Sequence, residues 1–354
     1  MKILIVAANE SRDRQKYVSD PLIQGGHEVD VLKIDPLKKY IKKIFTINTF
    51  KSYDIVVLMG VGVKFYLAFW IATYLNLPCF VRLGGNPVRD YQSNAINYYK
   101  KRLYKTFLKF TIKKYLACFL LKKIRFLIVV NPYLGRDLIS SLDKDCTIFH
   151  IPQYSEGDLV KKAYDLNSPV EILSVSNLEF VEKANGVIWL IKSLNEFCVK
   201  NKVKINFKVA GNGISKKDVD IFLKEKQLSK FLNVKMLGFV SSLDHFYEKA
   251  DVFLYRSFHD ATPNVILESK RYGLPLIVNY SEEFSLIVDH DVNGCLYKNK
   301  NEFFNYLYDI VFDKQLRVRL GENAQNDFTK KYSVAAVAEL FEHVFRDFKF
   351  ESKI

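Results

Sequence analysis

Ala250-Asp251-Val252-Phe253-Leu254-Tyr255-Arg256-Ser257-Phe258-His259-Asp260-Ala261-Thr262-Pro263-Asn264-Val265-Ile266-Leu267-Glu268 reads as a strand, a polar loop and a helix start. Val252–Tyr255 is a short unbroken apolar run, as a fully buried parallel strand requires. Thr262-Pro263 suits a helix start, because Thr can cap and Pro is pre-set for the first helical position. Gly273 and Pro275 stop that helix after Tyr272, and residues 276–278 form the next strand. A helix N-terminus therefore stands at the C-terminal edge of a parallel strand, where open α/β sheets bind ligands. Its exposed N–H groups and dipole favour phosphate. Asp260 lies in the loop before the helix. Glu268 lies within it, on the same face as Asn264 one turn earlier. Two acids thus frame an anion-binding position, one suited to sugar hydroxyls and the other to ribose hydroxyls. A capping loop with one solvated carboxylate fits the same residues.

The pattern extends outward in both directions. Short apolar runs recur at Val170–Val175, Ile205–Ala210 and 234–237 before the quoted stretch. Earlier still come Lys2–Ala8, Glu28–Ile34, 55–59, Cys79–Leu83, 126–130 and 147–151, with helical stretches such as 65–74 between them. Strands alternating with helices imply parallel βαβ units with helices on both faces. A length of 354 residues exceeds one core's usual roughly 250–300, so two domains are expected. A polar, irregular segment from Ile151-Pro152-Gln153 to Ser168-Pro169 reads as the linker. The expected division is 1–160, 168–330 and a C-terminal helix over 331–354.

Composition excludes several classes. The chain is 49% hydrophobic with 28 Phe and 21 Tyr, enough to bury a core, so it is not a disordered chain. Mean hydropathy is −0.04, and charges interrupt every apolar run before the ~20 residues of a membrane span. The opening Met1-Lys2-Ile3-Leu4-Ile5-Val6-Ala7-Ala8 is expected to be a buried strand, not a secretory signal. Five scattered cysteines without a C-x-x-C pair suggest thiols in a reducing cytoplasm and no zinc site.

The quoted stretch resembles the signature of family 4 glycosyltransferases, P-S-x-x-E-G-x-P-x-x-x-x-E. Asp260 takes the first acidic position and Glu268 the second, with seven residues between; Ser257 and Pro263 match. Arg256 replaces the usual Pro and Ala261 the usual Gly. Phe207-Lys208-Val209-Ala210-Gly211-Asn212-Gly213 resembles the family's strand and glycine turn under the nucleotide, and Leu237-Gly238-Phe239-Val240 its loop near the base. Asp289–Leu296, with Asn293-Gly294, is similar to its closing segment. The resemblance implies an α/β fold of the GT-B type: two facing Rossmann-like domains with parallel sheets, and a C-terminal helix able to cross back to the first. It further implies a retaining, hexosyltransferase-like enzyme with a nucleotide-diphosphate sugar as donor substrate, no other cofactor and no metal. Asp260 is then catalytic. Glu268, Lys183, Gly211, Gly213, Thr262, Pro263, Asn264, Asn177 and Arg256 are donor-binding. Outside the quoted stretch the pattern departs further: Ser176-Asn177-Leu178 stands where the family has an Arg, Ala184-Asn185 separate Lys183 from Gly186, and Ala8-Asn9-Glu10-Ser11 replaces a glycine-rich loop.

Net charge is +14, and residues 1–160 carry 25 Lys and Arg against 13 Asp and Glu. From Tyr91 through Arg136 no acidic residue occurs. There Lys101, Arg102, Lys105, Lys109, Lys113 and Lys114 are interleaved with aromatic side chains, and Leu103, Phe107 and Phe110 share one helical face. Cations with apolar groups suit a helix lying on an anionic membrane. No recognised nucleic-acid module accompanies the charge. The expectation is a cytoplasmic protein, peripheral on the inner face of the cell membrane. It would transfer a sugar to a lipid-linked or glycan acceptor in cell-surface polysaccharide or glycolipid synthesis. A catalytically weak, membrane-bound partner subunit of another glycosyltransferase is the alternative.

Overall fold

The computed structural model describes the chain except residues 9–13, 35–46, 101, 143–145, 167, 259, 261 and 352–354. It divides into two compact units, Met1–Tyr154 joined by the stretch from Val334, and Ser155–Ser333. The first boundary falls a few residues before the expected 160, because Tyr154 is still part of the first core. Its ring is buried and its hydroxyl donates to Asp20 Oδ2 at 2.6 Å.

The first unit holds a six-stranded parallel sheet in the order β2-β1-β3-β4-β5-β6. Its strands are β1 Lys2–Ala8, β2 Glu28–Ile34, β3 Ile55–Leu58, β4 Cys79–Leu83, β5 Phe126–Val129 and β6 Thr147–His150. Alternate residues face opposite sides, as a two-residue period dictates. Leu4, Val6, Val56, Leu58, Val81, Leu127 and Val129 pack under helices Val63–Tyr74 and Tyr104–Lys123. Ile3, Ile5, Ile55, Val57, Phe80 and Ile128 pack on the other side, with helices Lys16–Gln24 and Val334–Glu351. The C-terminal helix thus belongs to the first unit's core.

The second unit repeats the plan. Its sheet runs β12-β11-β10-β7-β8-β9, all parallel. The strands are β7 Val170–Val175, β8 Ile205–Ala210, β9 Leu232–Gly238, β10 Val252–Tyr255, β11 Leu276–Asn279 and β12 Cys295–Tyr297. The chain builds outward from β7 to β9, returns beside β7 as β10, and builds outward the other way. The strand order therefore reverses between β7 and β10, and ligands bind at such a reversal, outside the carboxyl ends of the strands. Helix Val181–Asn201 covers one face through Ala184, Val187, Leu190 and Ile191. Helix Asn264–Arg271 covers the other through Ile266 and Leu267.

Two sequence expectations need correction. Pro263 does not open the signature helix: it takes ψ 119° and occupies the N-cap, so the helix begins at Asn264. Pro263, as the N-cap residue, makes no side-chain cap hydrogen bond, because it carries no side-chain acceptor. The face expected at Leu103, Phe107 and Phe110 is also not a free one. Leu103 is the N-cap of helix Tyr104–Lys123. Phe107 and Phe110 pack on the preceding helix Pro87–Lys100, with ring centroids 5.4 Å from Tyr99 and 5.3 Å from Tyr98. A break at Arg102, with φ 58°, folds the two helices together.

Phe345 tests the assignment of the last helix. It is fully buried, with its ring 5.2 Å from Phe80 and 5.9 Å from Phe341. Phe345→Ala should destabilise the chain by about 3–5 kcal/mol, as core Phe truncations do. The measurement is the shift in urea midpoint; an unchanged midpoint would remove the helix from the first unit's core.

Candidate active site

The site is assembled at the carboxyl ends of β7, β8 and β10. After β7, residues Ser176 to Glu179 run against the Gly211–Gly213 turn that follows β8. A Cβ on Gly211 would lie 1.8 Å from the Ser176 carbonyl oxygen, and one on Gly213 would lie 2.2 Å from the Leu178 carbonyl carbon. Both glycines also have positive φ, +141° and +149°. The contact is therefore backbone on backbone, and only glycine permits it. Hydrogen bonds knit it: Leu178 N donates to Asn212 O at 3.0 Å and Ser215 N to Leu178 O at 2.9 Å. Asn177 Oδ1 accepts from Glu179 N at 3.4 Å, so it shapes this loop.

The loop delivers helix Val181–Asn201, whose first turn carries Lys183. Gly186, one turn on, meets the loop after β10: a Cβ there would lie 2.5 Å from the Arg256 carbonyl oxygen. That close approach sets Lys183 Nζ 2.8 Å from Asp260 Oδ1. The pair is largely withdrawn from water, with Lys183 buried and Asp260 a fifth exposed. Asp260 Oδ2 accepts from Ser257 Oγ at 2.8 Å and from the Tyr255 hydroxyl. Burial opposes the charge on Asp260. The Lys183 cation and the donors on Lys183, Tyr255 and Ser257 outweigh it and hold the carboxyl below its ordinary pKa. Burial, and then the Asp260 charge, push the Tyr255 hydroxyl far up, so it stays a proton donor. Ser257 is clamped in turn: its N donates to Asn279 Oδ1 at 2.8 Å, and Asn279 Nδ2 donates to its carbonyl at 2.9 Å.

Four residues after Asp260 helix Asn264–Arg271 starts, with Pro263 as an N-cap residue that offers no side-chain acceptor to the first-turn N–H groups. Such donors, with the helix dipole, favour an anion. Further along, Glu268 Oε2 accepts from the Tyr247 hydroxyl at 2.8 Å. Tyr247 is buried and stacks on Tyr272, with centroids 5.2 Å apart. Here burial wins: it raises the Glu268 pKa despite the Tyr247 hydrogen bond and the Arg271 charge. Arg256 stands apart. Its guanidinium lies 4.0 Å from the Trp189 ring centroid and 5.0 Å from that of Phe258, and Nη1 donates to the Tyr297 hydroxyl at 3.2 Å. Among the described residues no hydrogen bond links Arg256 to Lys183 or Asp260.

The structure thus brings together Lys183, Asp260, Gly211, Gly213, Asn177 and the helix start at Thr262, Pro263 and Asn264, with Glu268 one turn along. His259 and Ala261 lie outside the described residues. Sequence reasoning missed Tyr255, Asn279, Tyr247 and Trp189. The first two were findable as the final residues of neighbouring strands β10 and β11, where side chains reach the sheet's edge. Among the described residues no three His, Cys, Asp or Glu side chains form a group that could hold a metal, no disulfide joins the cysteines, and no helix is long and apolar enough to cross a membrane.

Residues 160–327 match the model of the family described as glycosyl transferases group 1. Over 184 residues the chain is 28% identical to the alpha-monoglucosyldiacylglycerol synthase of Acholeplasma laidlawii, covering 49% of this chain and 45% of that protein. Over 212 residues it is 24% identical to the UDP-Gal:alpha-D-GlcNAc-diphosphoundecaprenol alpha-1,3-galactosyltransferase of Escherichia coli, covering 55% and 50%. The chain thus spans about half the length of these curated relatives. In fold it is similar to Anabaena HepE, solved in complex with UDP-glucose, with a TM-score of 0.68 at 15% identity over 98% of this chain and 100% of that one. Residues 160–327 thus carry a domain of the group 1 glycosyl transferase type, and the whole chain has a GT-B fold.

Two outcomes follow from this geometry. Gly211→Ala forces a side chain into the Ser176 carbonyl and should lower the melting temperature by several degrees, an overpacking and strain cost of about 1–3 kcal/mol. The two acids should show opposite pH dependence. Asp260, with its lowered pKa, contributes stability above the ordinary carboxylate pKa of about 4, lost as pH falls through its folded value. Glu268, with its raised pKa, costs stability as pH rises through that range. Melting curves from about pH 3 to pH 8 should therefore find Glu268→Gln as stable as wild type or more so at neutrality, and Asp260→Asn less stable there. A reversed order would refute the assignment of their environments.

Proposed function

We propose that this chain, whose residues 160–327 carry a group 1 glycosyl transferase domain, moves a sugar from a nucleotide-diphosphate donor to a lipid-linked or glycan acceptor. Configuration at the anomeric carbon is retained. The observation that carries this reading is the convergence of Lys183, its ion-pair partner Asp260 and a helix N-terminus where the strand order reverses.

As the bond to the donor sugar breaks, negative charge develops on the leaving diphosphate. Lys183, the first N–H groups of helix Asn264–Arg271 and the backbone of the Gly211–Gly213 turn are set to receive it, and fixed donors of this kind need no reorganisation during reaction. Lys183 is paired with Asp260. Donor binding gives that cation a second anionic partner and leaves Asp260 to accept hydrogen bonds from the sugar hydroxyls. Glu268 has Oε2 held by Tyr247, and Oε1 takes the ribose hydroxyls. Arg256 supports the loop after β10 through Trp189 and is assigned no direct donor contact. The donor is a substrate, and the proposal requires no metal.

The names of the two curated relatives, a synthase of a glucosyl diacylglycerol and a transferase acting on a diphosphoundecaprenol-linked sugar, favour a lipid-linked acceptor. A place in glycolipid or surface polysaccharide synthesis on the cytoplasmic side of a membrane fits that acceptor and the basic first unit.

A thermal-shift screen of nucleotide sugars tests the donor half directly. A true donor at about a hundredfold over its Kd adds about 2.7 kcal/mol of apparent stability. Lys183→Met and Glu268→Ala should reduce that shift. Asp260→Ala should lower the transfer rate at least about a hundredfold. The product's anomeric configuration, read by NMR, should match the donor's. If no nucleotide sugar shifts the melting temperature, the enzyme reading fails.

A further inference from the structure

Helix Tyr104–Lys123 is apolar on two opposite sides. Ala117, Leu120 and Leu121 are buried in the first unit's core. On the other side Leu108, Ile112, Tyr115 and Phe119 follow the helical period and stand in water, Tyr115 at 68% and Leu108 at 57% exposure. The exposed stripe continues onto helix Val63–Tyr74. Phe119 stacks on Tyr66 at 5.9 Å, and Trp70 and Tyr74 follow Tyr66 at four-residue steps, both exposed. Lys105, Lys109, Lys122 and Lys123 flank the stripe and are exposed, and no acidic residue interrupts residues 91–136. An apolar stripe this long is not left bare without a partner.

We infer that this two-helix face seats in the interface of an anionic lipid bilayer, its apolar stripe entering the headgroup boundary and its lysines meeting the phosphates. Charge complementarity decides the occupant: the lysine fringe would repel a second copy of itself, whereas an anionic surface attracts it. Trp and Tyr at the stripe's end are the side chains that settle at a membrane interface. The face differs from the one read from sequence, since Phe107 and Phe110 are turned to Tyr99 and Tyr98, and Lys113 lies over Phe110 at 5.0 Å. Of the six cations expected to bind membrane, Lys105 and Lys109 flank the stripe, Arg102 is exposed at the helix junction, and Lys113 and Lys114 are half-buried. Lys101 lies outside the described residues. The inference deepens the membrane-surface reading above and depends on it only for what the contact serves.

Flotation of the full chain with vesicles, without donor or acceptor, tests it separately from catalysis. The protein should float with phosphatidylglycerol-rich vesicles and not with pure phosphatidylcholine. Replacing Leu108, Ile112 and Tyr115 together by Ser should cut partitioning at least about tenfold, since each loses buried apolar area in the bilayer. Replacing Lys105, Lys109, Lys122 and Lys123 by Gln should cut it more than about a hundredfold at low salt, each lysine being worth about fivefold. Unchanged melting temperature and nucleotide-sugar shift confirm that both variants are folded. Failure of wild type to float on anionic vesicles overturns the inference. So does a serine variant that floats like wild type, or a wild-type dimer in solution that this variant dissociates.

Discussion

Everything at the candidate site depends on two loops being pressed together where the second sheet reverses its strand order. Gly186 admits the Arg256 carbonyl against helix Val181–Asn201, and Gly211 and Gly213 admit the backbone of residues 176–179. These contacts leave no freedom for where Lys183 projects. Its ion pair with Asp260 is the consequence: a cation from the crossover after β7 meets an anion from the crossover after β10. A side chain at any of the three glycines would separate the loops and the charges with them. The geometry is held by backbone, and the chemistry is placed by it.

The two acids of one signature serve opposite electrostatic ends. Asp260 gathers a lysine and two hydroxyls, and its charge is secured. Glu268 has a single hydroxyl from a buried tyrosine, so its charge is held at a cost. A carboxylate with few hydrogen-bond donors gains most from added hydroxyls, which suits the ribose-holding role proposed for Glu268. A carboxylate already satisfied by fixed partners keeps its position during reaction. Environment, not residue type, separates the two carboxylates and the roles proposed for them.

Much of this was legible in the sequence. β1, β4, β7, β8 and β10 are unbroken or nearly unbroken apolar runs, and their ends were readable because buried parallel strands admit few charges, whereas β2, with Glu28, Asp30 and Lys33, was placed by the Gly25-Gly26-His27 turn before it. β12, three residues long, gave too little signal beyond its turn. Asp260 and Glu268 were found because their spacing within one crossover is local, and Lys183, on a different crossover, through the family resemblance. Asn279 and Tyr247 were not, because each partners a residue on another element, Ser257 and Glu268; Tyr255, only five residues before Asp260, read simply as the apolar end of β10. The helix start was misplaced by one residue, since a proline permits both the N-cap and the first helical position and ψ alone chooses. The first-unit helix misled for a different reason. Residues apolar on two sides give no single period, so Phe107 and Phe110 were assigned to the wet face when Leu108, Ile112, Tyr115 and Phe119 occupy it.

That two-sided helix also gives the charge asymmetry its meaning. A basic excess alone needs only a phosphate-bearing partner, and a nucleic acid, a lipid headgroup or a phosphorylated sugar would each serve. An exposed aliphatic and aromatic stripe between rows of lysines is more demanding. A duplex offers phosphates without a medium for Leu108 or Ile112, and a small phosphorylated ligand is too short to cover four turns of helix. An anionic bilayer supplies both, charge at the headgroups and hydrocarbon just below them. A lipid-linked acceptor is confined to that same surface. With the proposed acceptor and the proposed seating, a three-dimensional search would become one along the membrane, and the cost of exposing the stripe in water would be offset there.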